Sequence, residues 1–236
     1  MSGNKSIGGP GGIAFTPIGQ TAGPVGSAFG GAIFSTNSMT LLNVTLAGNS
    51  GQGGAVFSSG QTALHNTILA SSVSGGNCQG TFTDAGHNIS SDDSCPFNHV
   101  GSRINTDPKL EPLTDNGGST LTMALLPGSP AINAGDDAAC PAVDQRGLFR
   151  PSLGRCDIGA YEFGASSFRI AAIEPVEGAQ VRIRGVGLAN QAYSLRGSAD
   201  LANWQTVGGG TVSAEGQFEI LTPATAPVQF YRILAP

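Results

Sequence analysis

The residues of this 236-residue chain best equipped for chemistry are three histidines, His65, His87 and His99, and a scatter of aspartates in turns. His87 and His99 bracket Asp92, and an imidazole beside a carboxylate is the usual general base. His87, His99 and Asp92 therefore form the candidate catalytic set. Turn formation explains the same residues without any chemistry, because Asp, Asn and Gly close Asx turns on their own backbone. His65 precedes Asn66, a repeated position, and reads as structural. Asp93, Asp136, Asp137, Asp144 and Asp157 stand in Gly- and Asn-rich loops, where hard oxygen ligands on irregular backbone suit calcium. A calcium-bound water there would attack an ester, a lactone or a glycosidic bond. The competing reading makes Asp144, Arg146, Asp157 and Glu162 a buried ion-pair network. No EF-hand spacing occurs, and no Gly-x-Ser-x-Gly elbow surrounds a serine.

These side chains must be positioned by something other than helices. Gly accounts for 36 residues, charged residues for 11%, and only Lys5 and Lys109 are lysines. A helical surface draws on Glu, Lys and Arg, whereas this composition suits β-structure with tight, Gly-borne turns. The net charge of −5 and the lack of a basic stripe argue against nucleic acid as a partner. No apolar run approaches the ~20 residues of a membrane-spanning helix.

The elements repeat. Gly30-Gly31-Ala32-Ile33-Phe34 returns as Gly53-Gly54-Ala55-Val56-Phe57, 23 positions later. The same offset carries Leu41 to Leu64, Asn43 to Asn66 and Leu46 to Leu69. A weaker copy, Gly11-Gly12-Ile13-Ala14-Phe15, lies 19 residues before the first. A period in the low twenties built from very short strands fits one coil of a parallel β-helix. Ile33 would then lie over Val56, Leu41 over Leu64, and Asn43 over Asn66 as an amide ladder. Residues 30–76 hold no Asp, Glu, Lys or Arg, so charged-group chemistry belongs to 77–163.

The four cysteines lie as two local pairs, Cys78 with Cys95 and Cys140 with Cys156; two disulfides or four buried thiols both fit them. No CxxC or zinc-finger spacing occurs. Met1 is followed by no apolar signal region, and the first repeat looks cut into, as in a piece of a longer chain.

Residues 77–163 carry an ordered series of motifs. They run from Gly86-His87-Asn88-Ile89 through Thr106-Asp107-Pro108 and Leu125-Leu126-Pro127-Gly128-Ser129-Pro130-Ala131-Ile132-Asn133 to Asp144-Gln145-Arg146-Gly147 and Asp157-Ile158-Gly159-Ala160-Tyr161-Glu162. In order and wording this series, with 30–76, resembles the C-terminal segment of bacterial secreted β-helix proteins of the choice-of-anchor Q type. The resemblance implies a right-handed β-helix, cysteines paired as Cys78/Cys95 and Cys140/Cys156, and an exported or cell-surface protein. It implies no particular activity.

After residue 165 the pattern changes to alternation: Val181-Arg182-Ile183-Arg184, Phe218-Glu219-Ile220, Phe230-Tyr231-Arg232-Ile233. That alternation marks antiparallel strands with one wet face. The run from Tyr193 to Trp204 resembles small C-terminal modules of secreted bacterial proteins, accessory or sorting domains. The expected architecture is therefore all-β: a parallel β-helix over 1–165 and a small β-sandwich over 166–236. The expected function is an extracellular or cell-surface protein binding glycan or envelope material; the alternative is the calcium-dependent hydrolase or lyase. A passive stalk or sorting cassette is the third possibility.

Overall fold

A computed structural model describes residues 1–2, 30–51, 53–152, 154–224 and 229–234, together with the backbone of 13–16 and 19–22. The protein is all-β: an antiparallel pair near the start of the chain is followed by two parallel sheets and then, in the last part, by two antiparallel ones. Two compact units divide it: Met1–Arg146 with Arg150–Gly164, and Gly147–Phe149 with Ala165–Pro236.

In the first unit the strands are β1 (Ile13–Thr16), β2 (Gly19–Ala22), β3 (Ile33–Ser35), β4 (Met39–Leu42), β5 (Thr45–Ala47), β6 (Val56–His65), β7 (Ile68–Ala70), β8 (Cys78–Asp84) and β9 (Ile89–Ser90). The chain makes three similar passes. β3 and β4 lie parallel to β6, with Ile33 beside Val56 and Leu41 beside Leu64; β8 pairs with the other edge of β6. β5, β7 and β9 form a second parallel sheet, with Leu46 beside Leu69. Between the first two passes every pair is 23 residues apart, the spacing of the repeat. The third pass departs from it: Val56 pairs with Cys78, 22 residues on, and the spacing falls to 20 past the register shift where Ser58–Thr62 faces Gly80–Phe82. A shorter turn moves the frame, and no fixed period in the sequence could show it.

Inward residues of these strands make the core. Leu46, Val56, Leu64, Ile68, Leu69 and Ile89 are fully buried, and each is worth roughly 1.5–3 kcal/mol on transfer from water. Both disulfides, Cys78–Cys95 and Cys140–Cys156, are formed, each of a size worth about 3 kcal/mol on a chain-entropy account.

The weak repeat copy does not behave as a further pass. β1 and β2 pair antiparallel, Ile13 opposite Ala22 and Thr16 opposite Gly19. Only residues 17 and 18 separate them, and so short a connection permits antiparallel pairing alone. Gly11 and Gly12 lie outside the described residues.

The second unit contains β10 (Phe168–Val176), β11 (Gln180–Gly187), β12 (Ala192–Ser198), β13 (Gln205–Thr211), β14 (Gln217–Pro223) and β15 (Phe230–Leu234). They form two three-stranded antiparallel sheets, β10-β11-β14 and β13-β12-β15. Phe168, Ile183, Phe218 and Ile220 from the first sheet share one core with Tyr193 and Leu195 from the second. This is the packing of a small β-sandwich. Among the described residues no helix is long and apolar enough to cross a membrane.

Candidate functional site

Where one pass turns into the next sheet, Asn43, Asn66 and His87 all take the left-handed conformation, with φ of 49°, 48° and 53°. Asn tolerates that region better than most residues because its short amide bonds locally. These three side chains hold down the segment that returns from residue 131 to 162. Asn66 Nδ2 donates to Asn43 Oδ1 at 3.2 Å, as an amide ladder requires, and to Asp136 O at 3.1 Å. Asn66 Oδ1 accepts from Asp136 N at 2.8 Å. Asn43 Nδ2 donates to Asp157 O at 3.1 Å and Gly159 O at 3.3 Å. His87 Nδ1 donates to Ala134 O at 2.7 Å, since a carbonyl can only accept. His65 stands beside this row, its Nε2 3.2 Å from Asp136 Oδ2.

Within the returning segment lies a buried charge cluster. Arg150, 4% exposed, sends Nη1 to Glu162 Oε2 at 3.3 Å and to Asp157 O at 3.1 Å, and Nη2 to Gly159 O at 2.8 Å. Glu162, fully buried, also accepts from Ser152 N at 2.7 Å and Asp157 N at 2.9 Å. Asp144 and Arg146 form their own pair, 2.7 Å from Nη2 to Oδ2, and Arg146 lies 3.6 Å over the Tyr161 ring. Burial raises the carboxyls of Asp157 and Glu162 above their ordinary values, and hydrogen bonds from backbone amides offset only part of this. Of the four residues in the ion-pair reading, Asp144 pairs with Arg146 and Glu162 pairs with Arg150, while the Asp157 carboxylate accepts from the backbone amides of Asn133 and Phe163. Arg150, the central cation, carries no sequence signal, because its acceptors include backbone carbonyls that no side-chain pattern reveals.

Of the candidate catalytic side chains, His87 and Asp92 are hydrogen-bonded within the chain. Asp92 accepts from Asn77 N at 2.9 Å, Ser90 Oγ at 3.0 Å, Ser94 N at 3.1 Å and Ser94 Oγ at 2.6 Å. His99 is exposed, and its backbone N–H donates to Asp84 at 2.7 Å. Asp84 also accepts from Gly86 N, Asn88 Nδ2, Asn98 N and Ser102 Oγ. Burial would raise the Asp84 carboxyl, but these donors prevail and hold it below its ordinary 3.8. Gly86 and Gly101 leave room for imidazoles: an added Cβ would come within 2.9 Å of His99 Nδ1 and 2.5 Å of His87 Nδ1 respectively.

Of the candidate metal ligands, Asp93 is an exposed turn residue, while Asp136 caps the 3₁₀ turn 137–139 and accepts from Ala138 N. Asp137 accepts from Cys156 N at 2.7 Å and faces Arg155. Asp157 Oδ1 accepts from Asn133 N at 2.7 Å. Asp136 and Asp137 are neighbours, Asp144 and Asp157 flank the buried cluster, and Asp93 stands apart in the Cys78–Cys95 loop. Among the described residues no group of three His, Cys, Asp or Glu is arranged to hold an ion. Two cavities, of about 230 and 420 Å³, adjoin Thr45, Gln145 and Ala160; no histidine lines either.

A different feature lies on the outward face of the sheet formed by β3, β4, β6 and β8. Ile33 and Val56 point inward, so strand alternation turns Phe34 and Phe57 outward. Their rings stack with centroids 5.5 Å apart and planes 13° from parallel, and Phe34 is 54% exposed. The face continues through Gln79 beside Phe57, and through Thr40, Ala63 and Thr83 on the adjoining stretch. Gln61 Nε2 donates to Thr83 Oγ1 there. The repeated Phe of Gly-Gly-Ala-x-Phe was visible in the sequence; its outward direction follows only once the strand register is known. No protein-family model matches this chain, and no curated protein matches it.

Proposed function

We propose that this is an exported cell-surface protein of the choice-of-anchor Q type, whose first unit is a short right-handed parallel β-helix and binds glycan on its outward face. The observation that carries the binding reading is the outward-facing Phe34–Phe57 stack, with Phe34 exposed and Phe57 half-buried. Aromatic faces offer the apolar side of a pyranose a flat partner, and Thr and Gln neighbours supply donors and acceptors for its hydroxyls. The absence of charge over residues 30–76 favours a neutral sugar on this face. In-register parallel passes support the coil, and two disulfides support an oxidising compartment. The hydrolase alternative is weaker, because Asp92, Asp144 and Asp157 spend their oxygens on donors of this chain. A glycan array with the intact protein and with F34A/F57A tests the reading. Binding by the first and its loss in the second is expected; an array blank for both would refute it.

A further inference from the structure

The second unit has five arginines and five carboxylates between residues 165 and 236, yet their pairing is uneven. Arg182 and Arg184 meet Glu174 and Glu219 across β10, β11 and β14, at 2.5–3.6 Å. On the other sheet, Arg196 of β12 sits directly opposite Arg232 of β15. Leu195 points into the core, so strand alternation sends Arg196 outward, and cross-strand pairing puts Arg232 on the same face. Among the described residues no carboxylate lies within 4.0 Å of either guanidinium, and neither donates a hydrogen bond to a protein acceptor. Arg196 Nε is sealed from solvent and lacks a partner. Like charges directly opposite one another destabilise a sheet, so this pair is costly as it stands.

We propose that the Arg196–Arg232 pair is a binding site for the carboxylate of an acidic polysaccharide. Two guanidinium forks on adjacent strands match the two oxygens of a carboxylate. The neighbours fit a sugar as the carrier. Phe230, 38% exposed, lies two residues from Arg232 on the same face, a separation of about 6.6 Å along a strand. A uronate ring resting on Phe230 would therefore carry its carboxylate to the arginines. Trp204, 4.1 Å from the Arg232 guanidinium, braces that side chain by a cation–π contact, and Thr206 opposite Arg196 adds a hydroxyl. Polyphosphate is a poorer match, since two arginines make no basic stripe and the chain is acidic overall. This site is independent of the Phe34–Phe57 face.

The test is calorimetric titration of the full chain with oligogalacturonate, against a neutral oligoglucan and duplex DNA, for wild type, R196Q and R232Q. Wild type is expected to bind the oligouronate, more weakly as salt rises, with each variant weakened about tenfold, the loss of one charge-assisted contact. Ligand-free variants should melt no lower than wild type, since the like-charge contact is gone. If a Gln variant fails to fold, R196K and R232K keep the charge but lose the fork and should show the same weakening. No oligouronate binding, undiminished binding in both variants, or equal affinity for duplex DNA would overturn the proposal.

Discussion

Arg150 and Glu162 show how the first unit spends its charge. Each is sealed from water and each satisfies the other, so removing one strands the other. R150M is therefore expected to cost about 3–5 kcal/mol, the penalty for an uncompensated buried charge, measured by chemical denaturation. R150M/E162L should recover most of that loss. Asp84 makes a prediction about pH. Its carboxyl is held below 3.8 in the folded state, so its contribution is present above that value and lost as pH falls through the folded pKa. Melting temperatures recorded from pH 5 down to pH 2 should fall less steeply in D84N than in wild type. Asp157 and Glu162, raised by burial, carry the opposite sign: their contribution declines as pH rises through their folded values.

Between residue and sheet, the corner row Asn43–Asn66–His87 joins three passes to the returning segment. Asn66 supplies both its left-handed backbone and three side-chain hydrogen bonds. N66A should lose both contributions, about 2–4 kcal/mol together, while N66G keeps the turn and loses only the bonds. Hydrogen exchange at the Asp136 amide, which Asn66 Oδ1 accepts from, should quicken in either variant. The same row shows what the sequence could disclose. Asn43 and Asn66 are legible because a constant spacing of 23 repeats them. His87 occupies the third place with a different residue type and a different spacing, so the sequence offers it as a catalytic candidate and does not disclose its place in the row, where its Nδ1 donates to Ala134 O. Gly11-Gly12-Ile13-Ala14-Phe15 errs the other way, a resembling string whose following strand is too near for parallel pairing.

For the molecule as a whole, alternation and repetition in the sequence separate a parallel-sheet unit from an antiparallel one. What they leave out is direction and pairing: which phenylalanines face outward, and which arginines lack a carboxylate. Those depend on register, and register depends on turns whose length varies from pass to pass. The central proposal is that a neutral glycan docks on the outward face of the first unit. Chemical-shift mapping of the isotopically labelled protein with an oligosaccharide selected from the array examines that claim most directly. Perturbations are expected to centre on Phe34, Phe57, Thr40, Gln61 and Thr83 and to be absent from F34A/F57A. A saturable titration whose perturbations lie elsewhere, with those five residues unmoved, would contradict it.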